Sequence, residues 1–185
     1  MPFVISPIHT DQDFEGQLTL EDKIEVFIAR VKGWQIQPAL AMIEKQIPHR
    51  GFAQLLIVVS FFEMIGKYRA GYKGGGNSGK YFKEGLLYIF PEIPEYDIHL
   101  LKSFYKGVRN GLYHVGMTMP NVVLYDNIPG SFGFQEETGA ILISPDQFVH
   151  DIAIRFESFA NELRDKHNEE LRTNFGQRFD DDNSH

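Results

Sequence analysis

Between Gly51 and Gly66 the chain is apolar on nearly every side, with Phe52, Leu55, Leu56, Ile57, Val58, Val59, Phe61, Phe62 and Ile65 in close succession. A segment of this kind has no face to give to water and must be enclosed. A buried strand could look like this over a few residues, but the length favours a helix, as do Gln54, Glu63 and Lys67 at helical spacings. The rest of the chain is therefore expected to wrap around a central helix. With 185 residues, one domain with a real core is the natural size. Hydrophobic residues at 43% and charged residues at 23% are ordinary for a soluble globular chain. The longest unbroken apolar run, Leu55 to Val59, is too short to cross a bilayer.

The formal net charge is −7. A broad electrostatic grip on nucleic acid needs a surplus of Lys and Arg, so contact with phosphates has to be local. There is no cysteine, which excludes disulfides and thiolate metal sites and makes a cytoplasmic location the expectation. Met1 to Ile8 lacks a basic region and a sustained hydrophobic segment, so no signal peptide is expected there.

In chain order, residues 1–18 hold two prolines and no helical period, and are expected to form an irregular arm. Thr19 and Asp22 have the spacing of a capping box. Ile24, Phe27, Ile28, Val31 and Trp34 follow at helical intervals, and Pro38 opens a second piece through Leu40, Met42, Ile43 and Ile47. The glycine-rich stretch from Ala70 to Gly79 reads as a flexible loop, followed by a short helix around Tyr81 to Phe90. After Gly116 the period changes, and 121–143 reads as a small antiparallel meander of two or three strands. Ser144-Pro145-Asp146-Gln147 is a helix start with a Ser cap and Gln at the capping-box position. Phe148, Ile152, Phe156, Phe159 and Leu163 line the inner face of that helix. Residues 166–185 are highly charged and are expected to fray into a mobile tail. The fold class is thus mainly α, a helical bundle spanning 19–165 with a β meander inserted before the last helix.

Three groupings invite a chemical reading that the surrounding residues do not complete. Gly74 to Lys80 matches the first seven positions of a phosphate-binding P-loop, but Tyr81 stands where Ser or Thr should hold magnesium, and no strand precedes it. His9, Asp11 and Asp13 alternate, yet no further ligand is spaced to complete a metal shell. His150-Asp151 reads as a surface pair.

The segment from Tyr96 to Val115 is different. At about 100° per residue, Leu100, Leu101, Phe104, Tyr105, Val108, Leu112 and Val115 fall on one arc, with Ile98 at its edge. His99, Lys102, Ser103, Lys106, Arg109, Asn110, Tyr113 and His114 fall on the other. Asn110 and His114 are one turn apart, whereas Arg109 lies about 140° from His114 on an α-helix. Lys102, Lys106, Arg109 and Tyr113 form a row able to hold one or two phosphates. Geometry alone leaves open that this row is simply the wet face of an amphipathic helix.

Arg109-Asn110-x-x-x-His114, late on a helix of a helical domain, resembles the Arg-x(4–6)-His signature of the HEPN superfamily, with Val108 before it and Gly116 after it also fitting. The resemblance implies a metal-independent endoribonuclease acting as a homodimer, with no cofactor and with two motifs facing one cleft. In that chemistry an RNA 2′-hydroxyl attacks its own phosphate to leave a 2′,3′-cyclic phosphate and a 5′-hydroxyl. His114 would be the general base or acid, as an imidazole ordinarily titrating at about 6.5 can be. Arg109 would neutralise charge on the phosphorane, Asn110 would orient the imidazole or phosphate, and Lys102, Lys106 and Tyr113 would guide the strand. A second reading of the same resemblance is an inactive binding or dimerisation module, partnered by a nucleotidyltransferase or, in a toxin or defence system, by an antitoxin. No membrane partner is expected.

Overall fold

The structure, a computed structural model, describes residues 2–71, 76–93, 98–135 and 137–184. It is mainly helical. The element order is β1 (Val4–Ser6), β2 (His9–Thr10), α1 (Leu20–Val31), α2 (Gln37–Glu44), α3 (Gly51–Val58), α4 (Ser60–Ala70), α5 (Ser78–Ile89) and α6 (Ile98–Ser103). A π-helix (Phe104–Val115) continues α6, and β3 (Val122–Leu124), β4 (Phe132–Gln135), β5 (Ala140–Ile143), α7 (Pro145–Arg164) and α8 (Glu169–Asn183) follow.

The Thr19 cap forms as its spacing predicts: the Asp22 backbone N–H donates to Thr19 Oγ1, and Thr19 N–H donates to the Asp22 carboxylate at 2.9 Å. The two expected pieces after it are one continuous helical run, because Lys32–Ile36 forms a π turn between α1 and α2. Pro38 has no N–H to give, and a widened turn is a way to accept it without breaking the helix. Trp34, at a helical interval from the apolar residues before it, is half exposed. The wider π turn rotates it away from the apolar stripe.

The apolar stretch at 51–70 forms the successive helices α3 and α4, joined at Val59. By length and composition it could cross a membrane, but half of its apolar window is buried within the protein. Leu55, Val58, Val59, Phe61, Phe62 and Ile65 are enclosed by α1, α5, α7 and α8, in a core rich in phenylalanine. Phe62 meets Phe82, Phe90 and Phe148 at centroid distances of 5.5, 6.0 and 5.8 Å. Two glycines let α4 and α5 touch backbone to backbone. A side chain at Gly85 would run into the Phe62 carbonyl, and one at Gly66 into the Tyr81 carbonyl.

Three expectations are corrected. Residues 1–18 are not an irregular arm throughout: β1 and β2 pair antiparallel, and the Arg30 guanidinium donates to the Ile5 carbonyl at 2.6 Å, tying the hairpin to α1. Residues 166–185 are not a tail. They include α8, whose Phe175 and Phe179 are buried, and whose buried Arg172 donates to the Leu163 carbonyl at 2.6 Å and to Glu21 at 2.7 Å. A charged sequence hid three inward-facing residues at near-helical intervals. The strands at 122–143 are not an antiparallel meander either. The chain runs up, down and up, but β5 inserts between the first two strands, giving the order β3-β5-β4. Val122 thus pairs with Ile141 in a parallel register, while Phe132 pairs with Ile143 antiparallel. Turn signals set strand direction but not lateral order.

Helix α7 starts at Pro145 as expected, although the Ser144 side chain makes no capping bond and Gln147 instead donates to Asp151 at 2.8 Å. Its predicted inner face of Phe148, Ile152, Phe156, Phe159 and Leu163 is fully buried.

Candidate functional site

The helix carrying Arg109 and His114 is wound more loosely than an α-helix. From Phe104 to Val115 it is a π-helix, with hydrogen bonds spanning five residues rather than four. Gly107 and Gly111, four apart and both buried, mark the face against which the following loop closes. The Met119 N–H donates to the Gly107 carbonyl at 2.9 Å. A side chain on Gly111 would meet the Met117 carbonyl at 2.6 Å and the Met119 nitrogen at 3.0 Å. Only glycine leaves room for that backbone. The helix ends at Gly116, in the left-handed region at φ 78°.

This winding changes which side chains are neighbours. A π turn takes about 4.4 residues, so positions five apart differ by about 50° rather than the about 140° of an α-helix. Arg109 and His114 are five apart. Their backbone positions are therefore closer around the axis than on an α-helix, with Asn110 next to Arg109 in the chain. The same rotation explains a misplaced core residue: Val115, assigned to the inner arc, is 64% exposed. Leu100, Leu101, Phe104, Val108 and Leu112 are buried as expected, and Tyr105 is partly buried.

Arg109 is half-buried and held on several sides. Its Nη2 donates to Glu63 Oε2 at 3.0 Å and its Nη1 to Asn110 Oδ1 at 3.2 Å. Its guanidinium carbon lies 5.2 Å from the centre of the Tyr113 ring and 5.7 Å from that of Tyr105. The other oxygen of Glu63 accepts from Lys67 Nζ at 2.6 Å. Burial alone would push the Glu63 carboxyl upward, but hydrogen bonds from Lys67, Ser78 and Arg109, with the Lys67 charge, outweigh it and hold the group below the ordinary glutamate value. Ser60, Glu63, Met64, Lys67, Arg109 and Tyr113 line a surface hollow of about 310 Å³.

The residues singled out from sequence are not all brought together. Arg109 and Tyr113 share this hollow. His114 and Tyr113 are exposed at the end of the helix, and among the described residues Asn110 hydrogen-bonds to Arg109 and not to His114. Lys102 and Lys106 depart from the expected single row. They line a separate hollow of about 290 Å³ with His99, Ser103, Gly107, Met119 and Asn121. The loop 116–121, folded back over Gly107 and Gly111, supplies the wall of that second hollow.

Glu63 was missed as a site residue. Its sequence signal was the four-residue step to Lys67 on an otherwise apolar helix, a place where a charged pair needs a reason. Gly107-x-x-x-Gly111 was the overlooked signal for a backbone crossing.

The remaining sequence candidates resolve simply. Gly74 and Gly75 of the P-loop-like match lie outside the described residues. Lys80 sits exposed in the first turn of α5, 3.8 Å from Glu84, and the helix before the loop is α4 rather than a strand. His9 is engaged with Ser6 at 2.7 Å, and Asp11 and Asp13 accept backbone N–H bonds from Phe3 and Thr10. Among the described residues no cluster of His, Asp and Glu is arranged to hold a metal ion. His150 is exposed near the start of α7.

No family model, no curated protein and no solved structure matches this chain.

Proposed function

We propose that this chain is a HEPN-type, metal-independent endoribonuclease of the cytoplasm, acting on RNA as a homodimer. The observation that carries this reading is the π winding of the motif helix, which brings the backbone positions of Arg109 and His114, five apart in sequence, to within about 50° of each other around the helix axis. In the reaction, a ribose 2′-oxygen bonds to the adjacent phosphorus as its proton passes to His114. Arg109 faces the charge that builds on the non-bridging oxygens. The bond from phosphorus to the 5′-oxygen then breaks, leaving a 2′,3′-cyclic phosphate. The departing 5′-oxygen takes a proton from the imidazole of a second copy, which gives the homodimer a chemical purpose.

Several features support the reading. His114 is open to solvent, where a strand can reach it, and Tyr113 beside it offers a face for a base to stack on. Tyr113, Val115 and Met117 are exposed apolar groups around the motif, suited to a surface shared between two copies. Lys102 and Lys106, in their own hollow, would hold a phosphate farther along the strand. Asn110 orients Arg109 in this account.

A second reading is favoured by one observation: Arg109 is already occupied by Glu63. A module that only binds or dimerises, beside a nucleotidyltransferase or an antitoxin, has no need of a free guanidinium. Labelled RNA incubated with purified protein in excess EDTA separates the two. The nuclease reading expects products ending in a cyclic phosphate, absent with Arg109→Ala and with His114→Ala. Intact RNA in every sample, with the partner present as well as absent, supports the binding module.

A further inference from the structure

We infer that Glu63 is a positioning residue for the reaction proposed above, holding Arg109 and Lys67 ready for one phosphate. The inference rests on the nuclease reading and adds to it a residue on another helix.

An arginine at the edge of a helix carries considerable rotamer freedom. It contributes to a charged transition state only if that freedom is removed beforehand. Here a single carboxylate removes it for two cations, with Arg109 Nη2 at 3.0 Å from one oxygen and Lys67 Nζ at 2.6 Å from the other. The side chains are largely sheltered, at 13% exposure for Glu63, 19% for Lys67 and 20% for Arg109. Two cations against one carboxylate leave the group with a net positive charge. Glu63 and Asn110 engage two of the five guanidinium N–H donors, so donors remain for an incoming phosphate. The trio lines the hollow that also receives Ser60 and Tyr113, so an anion entering there meets both cations.

What makes Glu63 a good anchor is its place on α4. Phe62, immediately before it, has its carbonyl against Gly85, and Gly66, three residues on, lies against the Tyr81 carbonyl. The backbone on either side of Glu63 is thus fixed by direct helix contact. A site held from a packed helix is more exact than one held from a loop.

The alternative is that the ion pair only ties α4 to the motif helix. The two roles differ in what they move. For a positioning residue, Glu63→Ala lowers kcat on RNA by about 100-fold, as loss of alignment does, and changes KM far less. Glu63→Gln, which keeps the length and an acceptor oxygen, retains more activity than Glu63→Ala. The loss persists well below the melting temperature of each variant. An NMR readout accompanies it: the Arg109 Nε–Hε signal, distinct in the wild type, merges with those of mobile arginines in Glu63→Ala. Wild-type kcat in a folded Glu63→Ala protein, or a deficit that vanishes on cooling, overturns the role of Glu63 alone. Absence of cleavage by the wild type overturns the nuclease reading, and this inference with it.

Discussion

The carboxylate of Glu63 on α4 and the guanidinium of Arg109 on the motif helix meet at 3.0 Å, and this contact fixes one half of the candidate site. It also has a signature in acid. The Glu63 carboxyl is subject to burial, which raises its pKa, but Lys67, Ser78 and Arg109 bring it below the ordinary value. A carboxyl depressed in the folded state stabilises fully above its unfolded pKa of about 4.3 and loses that contribution as pH falls through the folded value. Glu63→Gln is therefore expected to be less stable than wild type by about 2 kcal/mol near neutral pH. The gap holds down to about pH 5 and narrows toward pH 3. Urea midpoints across that range check it.

The π winding depends on two missing side chains. Gly111→Ala would push a methyl into the Met117 carbonyl, and Gly107→Ala would press on Val122 at 2.9 Å. Each is expected to cost about 2 kcal/mol in urea unfolding, as overpacking does. Each should also lower RNA cleavage in the protein that remains folded, because displacing the 117–122 segment lets the helix rewind and moves Arg109 and His114 around its axis.

Helix α8 is predicted to be integral to the domain. Phe175 is fully buried, 5.2 Å from Phe27 and 5.2 Å from Tyr68 between ring centres. Phe175→Ala should cost about 4 kcal/mol, measured by thermal or urea unfolding. A freely moving terminus would give no change.

Much of the helical frame can be read from the residues, because burial and period are local properties. The cap at Thr19, the inner face of α7 and the enclosed stretch around Phe61 and Phe62 all follow from spacing. What spacing does not carry is rotation accumulated through an irregular turn. Counting at the α-helical angle sets Trp34 and Val115 in line with apolar residues, but both lie within π-wound segments and are exposed. The same angle puts Arg109 and His114 about 140° apart, where π winding puts their backbone positions about 50° apart. Lateral strand order and the Glu63–Arg109 contact depend on which elements pack together, and a single chain read in order does not disclose that. Charge concealed α8, whose polar surface outnumbers the few aromatic residues it buries.

The proposed reaction requires Arg109 and His114 to act together on one phosphate. The direct measurement is single-turnover RNA cleavage in EDTA by the wild type, Arg109→Ala, His114→Ala and the double variant. Groups that serve one transition state are expected each to cost at least about 100-fold when removed alone, with the double variant little worse than either single one. A double variant whose loss equals the product of the two single losses, or full cleavage by either single variant, would contradict it.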